Sequence, residues 1–433
     1  MRGTVDHRRN IHEDYIRVSL LSNSSNIRPF IRRLGSLSEI SRHIHALSAV
    51  RYYMDAYICG YVRSPFTRAH RGYLKDIRPD DMAGQIAKSL IQRLEINPSE
   101  LDDVLVGCAY PEGEQGLNIG RIVTHYLNGP PNLSGMTTNR LCGSSMQVMH
   151  TAAGMIAREW GDLFLCGGVE SMSRIQRGGF NRSPSPHLEE LMPDAYISMG
   201  ITAENVASRY NISRKRQEEF ALHSHQKALF AKSKGYFMEE VESIISPMGK
   251  EEISHEQDGC MRESSLESMA GLKPAFIEDG VVTAATSSPL TDGASFSLIA
   301  SQKAVDKHNL SPMARIVSAG VSGVHPDEMG LGPIPSTKLA LERAGLTVDD
   351  LDIIELNEAF SSQSLACIDE LNLPVEKINI DGGAIAIGHP LGASGARIVG
   401  KTASLLQRTG GRFGLATMCI GGGMGIATII ERV

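Results

Sequence analysis

Short apolar runs rich in β-branched residues alternate along this chain with longer stretches whose apolar residues recur at helical spacing. Residues 104–106 and 353–354 are two of the short runs, and residues 82–94 and 337–344 are the helical stretches before them. This alternation predicts strands and helices in layered α/β units, with sheets buried between helices. Ligands of such folds bind where the loops at strand ends meet.

The pattern occurs twice. Residues 101–104 correspond to residues 351–354, and residues 142–145 correspond to residues 392–395, both at an offset of 250 positions. Near the end of each half, Leu-Cys-Gly-Gly at 165–168 is similar to Met-Cys-Ile-Gly at 418–421. These likenesses predict two similarly folded halves with an active-site cleft between them.

Between the halves, at about residues 174–289, the composition shifts to Arg, Glu, Ser, His and Met with few β-branched runs. A helix is predicted over residues 214–232, and a loop is predicted around Pro184, Pro186 and Pro193. We interpret this stretch as an inserted lobe.

The composition narrows the class of protein. The 433 residues are 42% hydrophobic and 21% charged, which is typical of globular proteins, and the net charge of −6 argues against a nucleic-acid binder. No apolar run is long enough for a membrane span. Seven dispersed cysteines without a C-x-x-C pair predict neither a disulfide framework nor a zinc site, and they favour a reducing compartment.

Residues 1–53 differ from the rest, with nine arginines, no lysine and four acidic residues. An Arg- and Ser-rich segment can be a mitochondrial presequence, but acidic residues are unusual in one. We therefore favour a poorly ordered extension, or a start codon placed too far upstream, with Met54 as a natural first residue. The expected location is cytoplasmic, with the mitochondrial matrix as the alternative if the segment is a targeting signal.

Three side chains in glycine-rich surroundings are candidates for chemistry. Cys142 precedes an apolar helical pattern, so a helix N-terminus is expected to stabilise its thiolate. His389 lies in a run with glycines at 382, 383, 388 and 392, and a neutral imidazole facing a thiol can generate the nucleophile. Cys419 precedes Ile-Gly-Gly-Gly, and a thiol tuned near neutrality can give and take a proton at carbon. Single cysteines and histidines are more often structural, so each assignment depends on its motif.

One motif is typical of a different class of protein, the nucleotide-binding proteins. Residues 395–402 fit the phosphate-loop pattern G-x-x-x-x-G-K-[ST], yet no hydrophobic strand runs into the first glycine. Ala396, Val399, Gly400 and Ala403 have the spacing of a closely packed helix face. A nucleotide-binding protein therefore remains a remote alternative.

Four motifs in order resemble the signature of the thiolase family: Asn-Arg-Leu-Cys-Gly-Ser-Ser at 139–145, Asn-Glu-Ala-Phe at 357–360, Gly-His-Pro-Leu-Gly at 388–392 and Cys-Ile-Gly-Gly-Gly at 419–423. The resemblance runs from about residue 54 to residue 433. It implies a thiolase-like five-layered α/β fold of two similar α/β/α halves. The expected domains are an extension (1–53), an N-terminal half (54–173 plus 291–311), a loop lobe over CoA and substrate (174–290) and a C-terminal half (312–433).

The resemblance also implies residue roles. His389 would take the proton of the nucleophile Cys142, and Cys419 would be the acid/base. Asn357 would hold a water that, with His389, stabilises the enolate oxygen, and the N–H groups of Cys142 and Gly421 would form a second oxyanion site. Ser288, in the segment 283–288, would contact the pantetheine of coenzyme A, although these small hydroxyl residues could also form an ordinary turn.

The implied activity is that of a 3-ketoacyl-CoA thiolase of fatty acid β-oxidation, with acetyl-CoA C-acetyltransferase as the alternative. The run Asn139 to Gln147 is similar to degradative members, and Arg-Ile-Gln-Arg at 174–177 lacks the histidine usual in short-chain enzymes. A thiolase-like carrier without turnover is expected to lack Cys142, His389 or Cys419, and all three are present. Acyl-CoA and CoA are the expected substrates, with no permanently bound cofactor or metal. A homodimer or homotetramer is expected, with a possible hydratase/dehydrogenase partner subunit.

Overall fold

The computed structural model describes residues 55–248 and 251–433, and residues 55–433 form one compact unit. The predicted extension, residues 1–53, lies outside the described residues. The strands are β1 Ala56–Arg63, β2 Thr67–Arg68, β3 Asp103–Gly107, β4 Ser134–Thr138, β5 Leu163–Ser171, β6 Ile244–Met248, β7 Glu251–His255, β8 Thr291–Ser301, β9 Ala314–Gly323, β10 Ile353–Leu356, β11 Phe413–Ile420 and β12 Met424–Arg432.

The helices include the two stretches predicted from helical spacing, residues 82–94 to within one residue and residues 337–344. They are α1 Pro79–Arg93, α2 Ile119–Tyr126, α3 Ser144–Ala157, α4 Pro186–Leu191, α5 Met199–Arg209, α6 Arg214–Ser233, α7 Leu266–Ala270, α8 Gln302–His308, α9 Pro333–Ala344, α10 Ser361–Leu371, α11 Ala384–Ile387 and α12 Leu391–Thr409. Short 3₁₀ turns occur at Tyr73–Asp76, Pro98–Glu100, Gly113–Gln115, Pro193–Tyr196, Pro326–Leu331, Val348–Asp350 and Val375–Lys377.

A large mixed sheet has the strand order β10-β11-β12-β9-β1-β8-β5-β3-β4, with β2 paired to β8. Its two halves meet at a short antiparallel pairing of β1 with β9, in which Tyr57 faces Arg315 and Ile58 faces Ala314. Helices α3 and α12 pack against each other between the halves, α1 and α2 cover one outer face, and α9 and α10 cover the other. The predicted α/β fold class is therefore confirmed.

The two halves have the same internal order. In the first, β3 runs parallel to β5, which is antiparallel to β8, which is antiparallel to β1. In the second, β10, β11, β12 and β9 follow with the same directions. Strands β10 and β11 begin 250 positions after β3 and β5, which is the offset seen in the sequence. The exact domain boundaries stay predictions.

The segment that fits the phosphate-loop pattern lies inside the buried helix α12. Its glycines allow close packing: a Cβ at Gly395 would lie 2.3 Å from the Met146 nitrogen, and one at Gly400 would lie 2.2 Å from the Tyr61 ring. Because the helix uses these backbone N–H groups internally, they cannot cradle phosphates. The nucleotide-binding alternative is therefore wrong.

The lobe is more regular than the sequence predicted. The predicted proline-rich loop contains helix α4 and a 3₁₀ turn, since Pro186 and Pro193 occupy first helical positions, where a missing N–H costs nothing. Strands β6 and β7 pair antiparallel, with Ile244 opposite His255. The helix predicted over residues 214–232 is α6, capped by the Ser213 side chain. Within the described residues, no helix is long and apolar enough to cross a bilayer.

Lys401 should stabilise the fold. Its buried ammonium lies 2.9 Å from a Glu240 carboxylate oxygen and 2.8 Å from an Asp381 oxygen, joining α12 to the lobe. Lys401→Met should lower the free energy of unfolding by about 1–3 kcal/mol, because each buried carboxylate loses one of its two cations and keeps only an arginine, Arg63 for Glu240 and Arg408 for Asp381. Urea denaturation measures the change, with the exposed Lys338→Met as control. A loss below about 0.5 kcal/mol would contradict this role.

Candidate active site

A cavity of about 920 Å³ opens at the ends of several strands. Four of the predicted site residues line it: Cys142, Ser288, His389 and Cys419. The other two, Asn357 and Gly421, lie beside this wall and contact His389 and Cys142 respectively. The structure therefore brings all six together, although they are up to 279 positions apart in sequence. The volume is of the size that binds small-molecule substrates.

Cys142 lies in the turn that precedes α3. Leu141 adopts a left-handed conformation with φ of 45°, and the Ser144 hydroxyl donates to the Leu141 carbonyl and accepts from the Arg140 N–H. These bonds fix the turn so that the thiol faces the cavity immediately before the first turn of the helix. The predicted position of Cys142 at a helix N-terminus is confirmed.

Only glycine fits the position before His389. Gly388 has a φ of 115°, and a Cβ there would lie 2.7 Å from Thr291 Cγ2. The Thr291 hydroxyl accepts the His389 backbone N–H. The imidazole Nδ1 lies 2.5 Å from the Ser394 hydroxyl, which itself donates to the Pro390 carbonyl. Nδ1 is therefore the protonated nitrogen, and Nε2 keeps its lone pair.

Asn357, directly after β10, supports that assignment. Its Nδ2 lies 3.4 Å from His389 Nε2, so the amide donates to the free lone pair. The Asn357 side chain is fully buried, and its Oδ1 has no hydrogen-bond partner among the described residues. Buried polar atoms normally have a partner, often a water. Asn357 Oδ1 is therefore free to accept a hydrogen bond from a water, and the water expected there stays a prediction.

Cys419 is the second-last residue of β11, and the glycine turn after the strand brings Gly421 to Cys142. Gly422 and Gly423 have φ values of 78° and 82°, which favour glycine. The turn lets the Gly421 N–H donate to the Cys142 sulfur. The two thiols are close enough that Cys142 acts electrostatically on Cys419.

Burial controls the protonation of these groups. It raises the pKa of Cys142 to about 11, although the Gly421 N–H acts to lower it. Burial also raises the pKa of Cys419 well above its ordinary value, and burial, with Arg397, lowers the pKa of His389 to about 3. The sequence predicted a stabilised thiolate at Cys142 and a pKa near neutrality for Cys419, and both predictions are wrong in direction. Removal of water raises the pKa of Cys142 more than the helix N-terminus lowers it. Two thiols and a neutral imidazole face the cavity.

Ser288 lies at the end of the segment 283–288. Its backbone N–H donates to the Ala359 carbonyl, and Thr283 and Thr286 bond to one another within the segment. Ala284, Ser287 and Ser288 line the cavity. The segment is therefore both a hydrogen-bonded turn and part of the cavity wall.

Sequence reasoning assigned no role to Glu170 or Ser394. The buried Glu170 carboxylate accepts the backbone N–H groups of Ala109 and Gly392 at 2.8 and 2.9 Å, holding the loops of both halves together. Ser394 fixes the imidazole. The signal for Glu170 was a carboxylate at the end of a buried apolar run. For Ser394 it was a hydroxyl five residues after His389, in the first turn of the following helix. The carboxylate of Glu358 is similarly occupied, by Ser224, Asn379 and the Ile385 N–H, so it braces the site.

Over residues 55–248 and 251–433, one group of side chains places metal-ligating atoms close together, namely Asp194, His325 and Asp327. None of the three lines the cavity, and Asp327 already accepts from Arg209 and His325. The group plays no part in the chemistry of the cavity.

A cysteine and a neutral imidazole that line one cavity, with a second thiol in the same lining, form an arrangement suited to cysteine-dependent acyl transfer. Comparison with known proteins identifies the family. The model "Thiolase, N-terminal domain" matches residues 56–303, and "Thiolase, C-terminal domain" matches residues 310–432. The chain belongs to the thiolase family and is an acyltransferase.

Its relatives carry different substrate names. A "3-ketoacyl-CoA thiolase" of Saccharophagus degradans is 41% identical over 390 residues, covering 88% of this chain and 98% of the relative. A "3-oxoadipyl-CoA/3-oxo-5,6-dehydrosuberyl-CoA thiolase" of Escherichia coli is 41% identical, covering 88% and 100%. The crystal structure of the Bacillus anthracis acetyl-CoA acetyltransferase has a TM-score of 0.81 at 35% identity, covering 88% and 99%. The substrate is therefore a separate question from the family.

The protonation state predicts how Cys142 reacts with an alkylating agent. Because its pKa is about 11, the thiolate fraction should rise about tenfold per pH unit throughout pH 7–9. The rate of iodoacetamide modification, followed by peptide mass spectrometry, should rise equally, with Cys142→Ala identifying the labelled peptide. A plateau near pH 7 would instead indicate a preformed thiolate–imidazolium pair.

Proposed function

We propose that the protein is a degradative 3-ketoacyl-CoA thiolase, an acetyl-CoA C-acyltransferase. It cleaves 3-ketoacyl-CoA with CoA to acetyl-CoA and a shortened acyl-CoA in fatty acid β-oxidation. The observation that carries the proposal is the single cavity lined by Cys142, His389, Cys419 and Ser288. The reaction needs a nucleophile, a base for it and a separate acid for the leaving enolate.

In the first half-reaction the Cys142 sulfur attacks the 3-keto carbonyl while its proton moves to Nε2 of His389. The Cα–Cβ bond breaks, its electron pair forms the enolate of acetyl-CoA, and the acyl group remains as a thioester on Cys142. The Cys419 thiol protonates the enolate carbon, and acetyl-CoA leaves. Proton transfer accompanies attack, because both cysteines and the imidazole begin neutral.

In the second half-reaction CoA, held along Ser288, replaces acetyl-CoA. Its thiol gives a proton to the Cys419 thiolate and attacks the acyl-cysteine. The shortened acyl-CoA leaves, and protonated His389 returns the proton to Cys142. All protons are balanced over the two steps, and no metal or redox cofactor takes part. The ping-pong sequence divides one difficult displacement into two easier ones.

Two oxyanion sites support these steps. The N–H of Gly421 already reaches the Cys142 sulfur, so with the N–H of Cys142 it is positioned to stabilise the tetrahedral oxygen. Asn357 and His389 frame the second site, where a water on Asn357 Oδ1 would contact the enolate oxygen. A preorganised donor of this kind contributes about 3–4 kcal/mol.

The degradative assignment is supported by the Saccharophagus relative, by the run from Asn139 to Gln147 and by the absence of a histidine in residues 174–177. The alternative, acetyl-CoA C-acetyltransferase, is favoured by the similarity to the Bacillus anthracis structure. The proposal includes assembly as a homodimer or homotetramer, a hydratase/dehydrogenase partner subunit and a cytoplasmic location. The lobe of residues 174–290 would cover CoA and substrate.

CoA-dependent loss of absorbance of the Mg²⁺–enolate complex tests the proposal. The value of kcat/KM should be about tenfold higher for 3-oxohexanoyl-CoA than for acetoacetyl-CoA, because two further methylenes are buried at about 0.8 kcal/mol each. Cys142→Ala should abolish cleavage and retain CoA binding, whereas Cys59→Ala, a buried cysteine outside the cavity lining, should retain both. Preference for acetoacetyl-CoA would favour the acetyltransferase, and turnover by Cys142→Ala would contradict the nucleophile assignment.

A further inference from the structure

Arg177 is a cation beside the nucleophile that the proposed reaction does not use. It lines the cavity together with Cys142 and Met172. It acts electrostatically on both Cys142 and the neighbouring Tyr110. Among the described residues, its side chain has no hydrogen bond or ion pair with a carboxylate. A guanidinium so close to a reacting thiol is a candidate for contact with the acyl group.

The backbone around Arg177 is fixed in place. The residue lies on the segment that leaves the central strand β5 at Ser171. The Gly178 N–H bonds to the Tyr110 hydroxyl, and the Gln176 side chain donates to the Gly179 carbonyl. The Phe180 N–H is accepted by Glu112. These contacts hold the segment against the wall that carries Cys142, and the long arginine side chain can extend along the cavity.

Three carboxylates of the surrounding segments are engaged elsewhere, and Glu263, which also lines the cavity, is exposed to solvent. Glu170 accepts the backbone N–H groups that join the loops and the Gln115 amide. Glu114 pairs with Arg78 and Arg174, and Glu112 accepts from the Phe180 N–H. The exposed guanidinium of Arg177 therefore has no carboxylate partner among the described residues and is available to an anionic group that enters the cavity.

The phosphates of CoA are poorly placed to supply that match. The CoA sulfur must approach Cys142, and the whole pantetheine arm separates this sulfur from the phosphates. A cation beside Cys142 thus faces the acyl group and not the nucleotide. Arg68 and Arg262, which also line the cavity, act electrostatically on each other and on Cys260 and form a separate basic region.

We propose that Arg177 binds a carboxylate at the far end of the acyl group, so that the substrate class is a 3-oxoacyl-CoA derived from a dicarboxylic acid. This inference rests on the proposed function and specifies its substrate. Cleavage would leave the shortened acyl group on Cys142 as a thioester with its distal carboxylate on the guanidinium. Arginine suits this role, because its planar fork binds a carboxylate through two parallel hydrogen bonds. The Escherichia coli relative named for 3-oxoadipyl-CoA agrees with this class.

The test compares two substrates with six-carbon acyl chains, 3-oxoadipyl-CoA ending in a carboxylate and 3-oxohexanoyl-CoA ending in a methyl group. The wild type should have the higher kcat/KM for 3-oxoadipyl-CoA. Arg177→Met should lower that value by about 10- to 100-fold, the range of a lost charge-assisted hydrogen bond, and leave the value for 3-oxohexanoyl-CoA within about threefold. Arg177→Lys should retain part of the preference. Arg182→Met, an exposed arginine of the same segment outside the cavity lining, is the matched control.

Each other outcome overturns the inference. If the wild type prefers 3-oxohexanoyl-CoA, or if Arg177→Met loses both activities equally, Arg177 does not bind a carboxylate at the end of the acyl group. A change confined to the KM of CoA assigns Arg177 to the phosphates. Failure of the wild type to cleave either substrate would instead contradict the proposed function, so the two failures are distinguishable.

Discussion

The close packing of helix α12 against helix α3 in the interior is the contact on which the site depends. The Ser145 hydroxyl accepts the Ala396 N–H at 2.8 Å, and Gly395 leaves no room for a Cβ beside Met146. Each helix follows directly on a loop that carries one reactive group, Cys142 in the first half and His389 in the second. The register of the two helices therefore determines how the thiol and the imidazole face each other, and the five layers hold that register.

The same burial has a chemical consequence. Deep in the interior, the charged forms of all three reactive groups are disfavoured, so the thiols keep their protons and the imidazole stays neutral. Charge then appears only as bonds form and break, next to donors that are already in place, such as the Gly421 N–H. Preorganised donors are most effective in such surroundings, because no water competes for the developing oxyanion.

Much of this could be predicted from the sequence. The repeat at 250 residues predicted the two halves, since β3 and β5 recur as β10 and β11. The resemblance of several motifs to one family identified the six candidate site residues that the structure brings together. The protonation states could not be predicted, because the position of Cys142 before a helix is visible in sequence whereas its burial by the other half is not. The partners of Glu170 are likewise spread over both halves, and the capped helix α4 depends on contacts that a proline-rich stretch does not display.

In the proposed reaction Cys142 carries the acyl group and Cys419 transfers the proton at carbon. The Cys419→Ala variant tests this division most directly. In D₂O, exchange of the methyl protons of acetyl-CoA, followed by NMR, requires the acid/base and should fall by at least about 100-fold. Acetyl transfer from acetyl-CoA to dephospho-CoA forms no enolate, so His389 can carry the proton between Cys142 and the CoA sulfur without Cys419. This transfer should stay within about threefold of wild type. Persistent proton exchange, or equal loss of both reactions, would contradict the division of labour between Cys142 and Cys419.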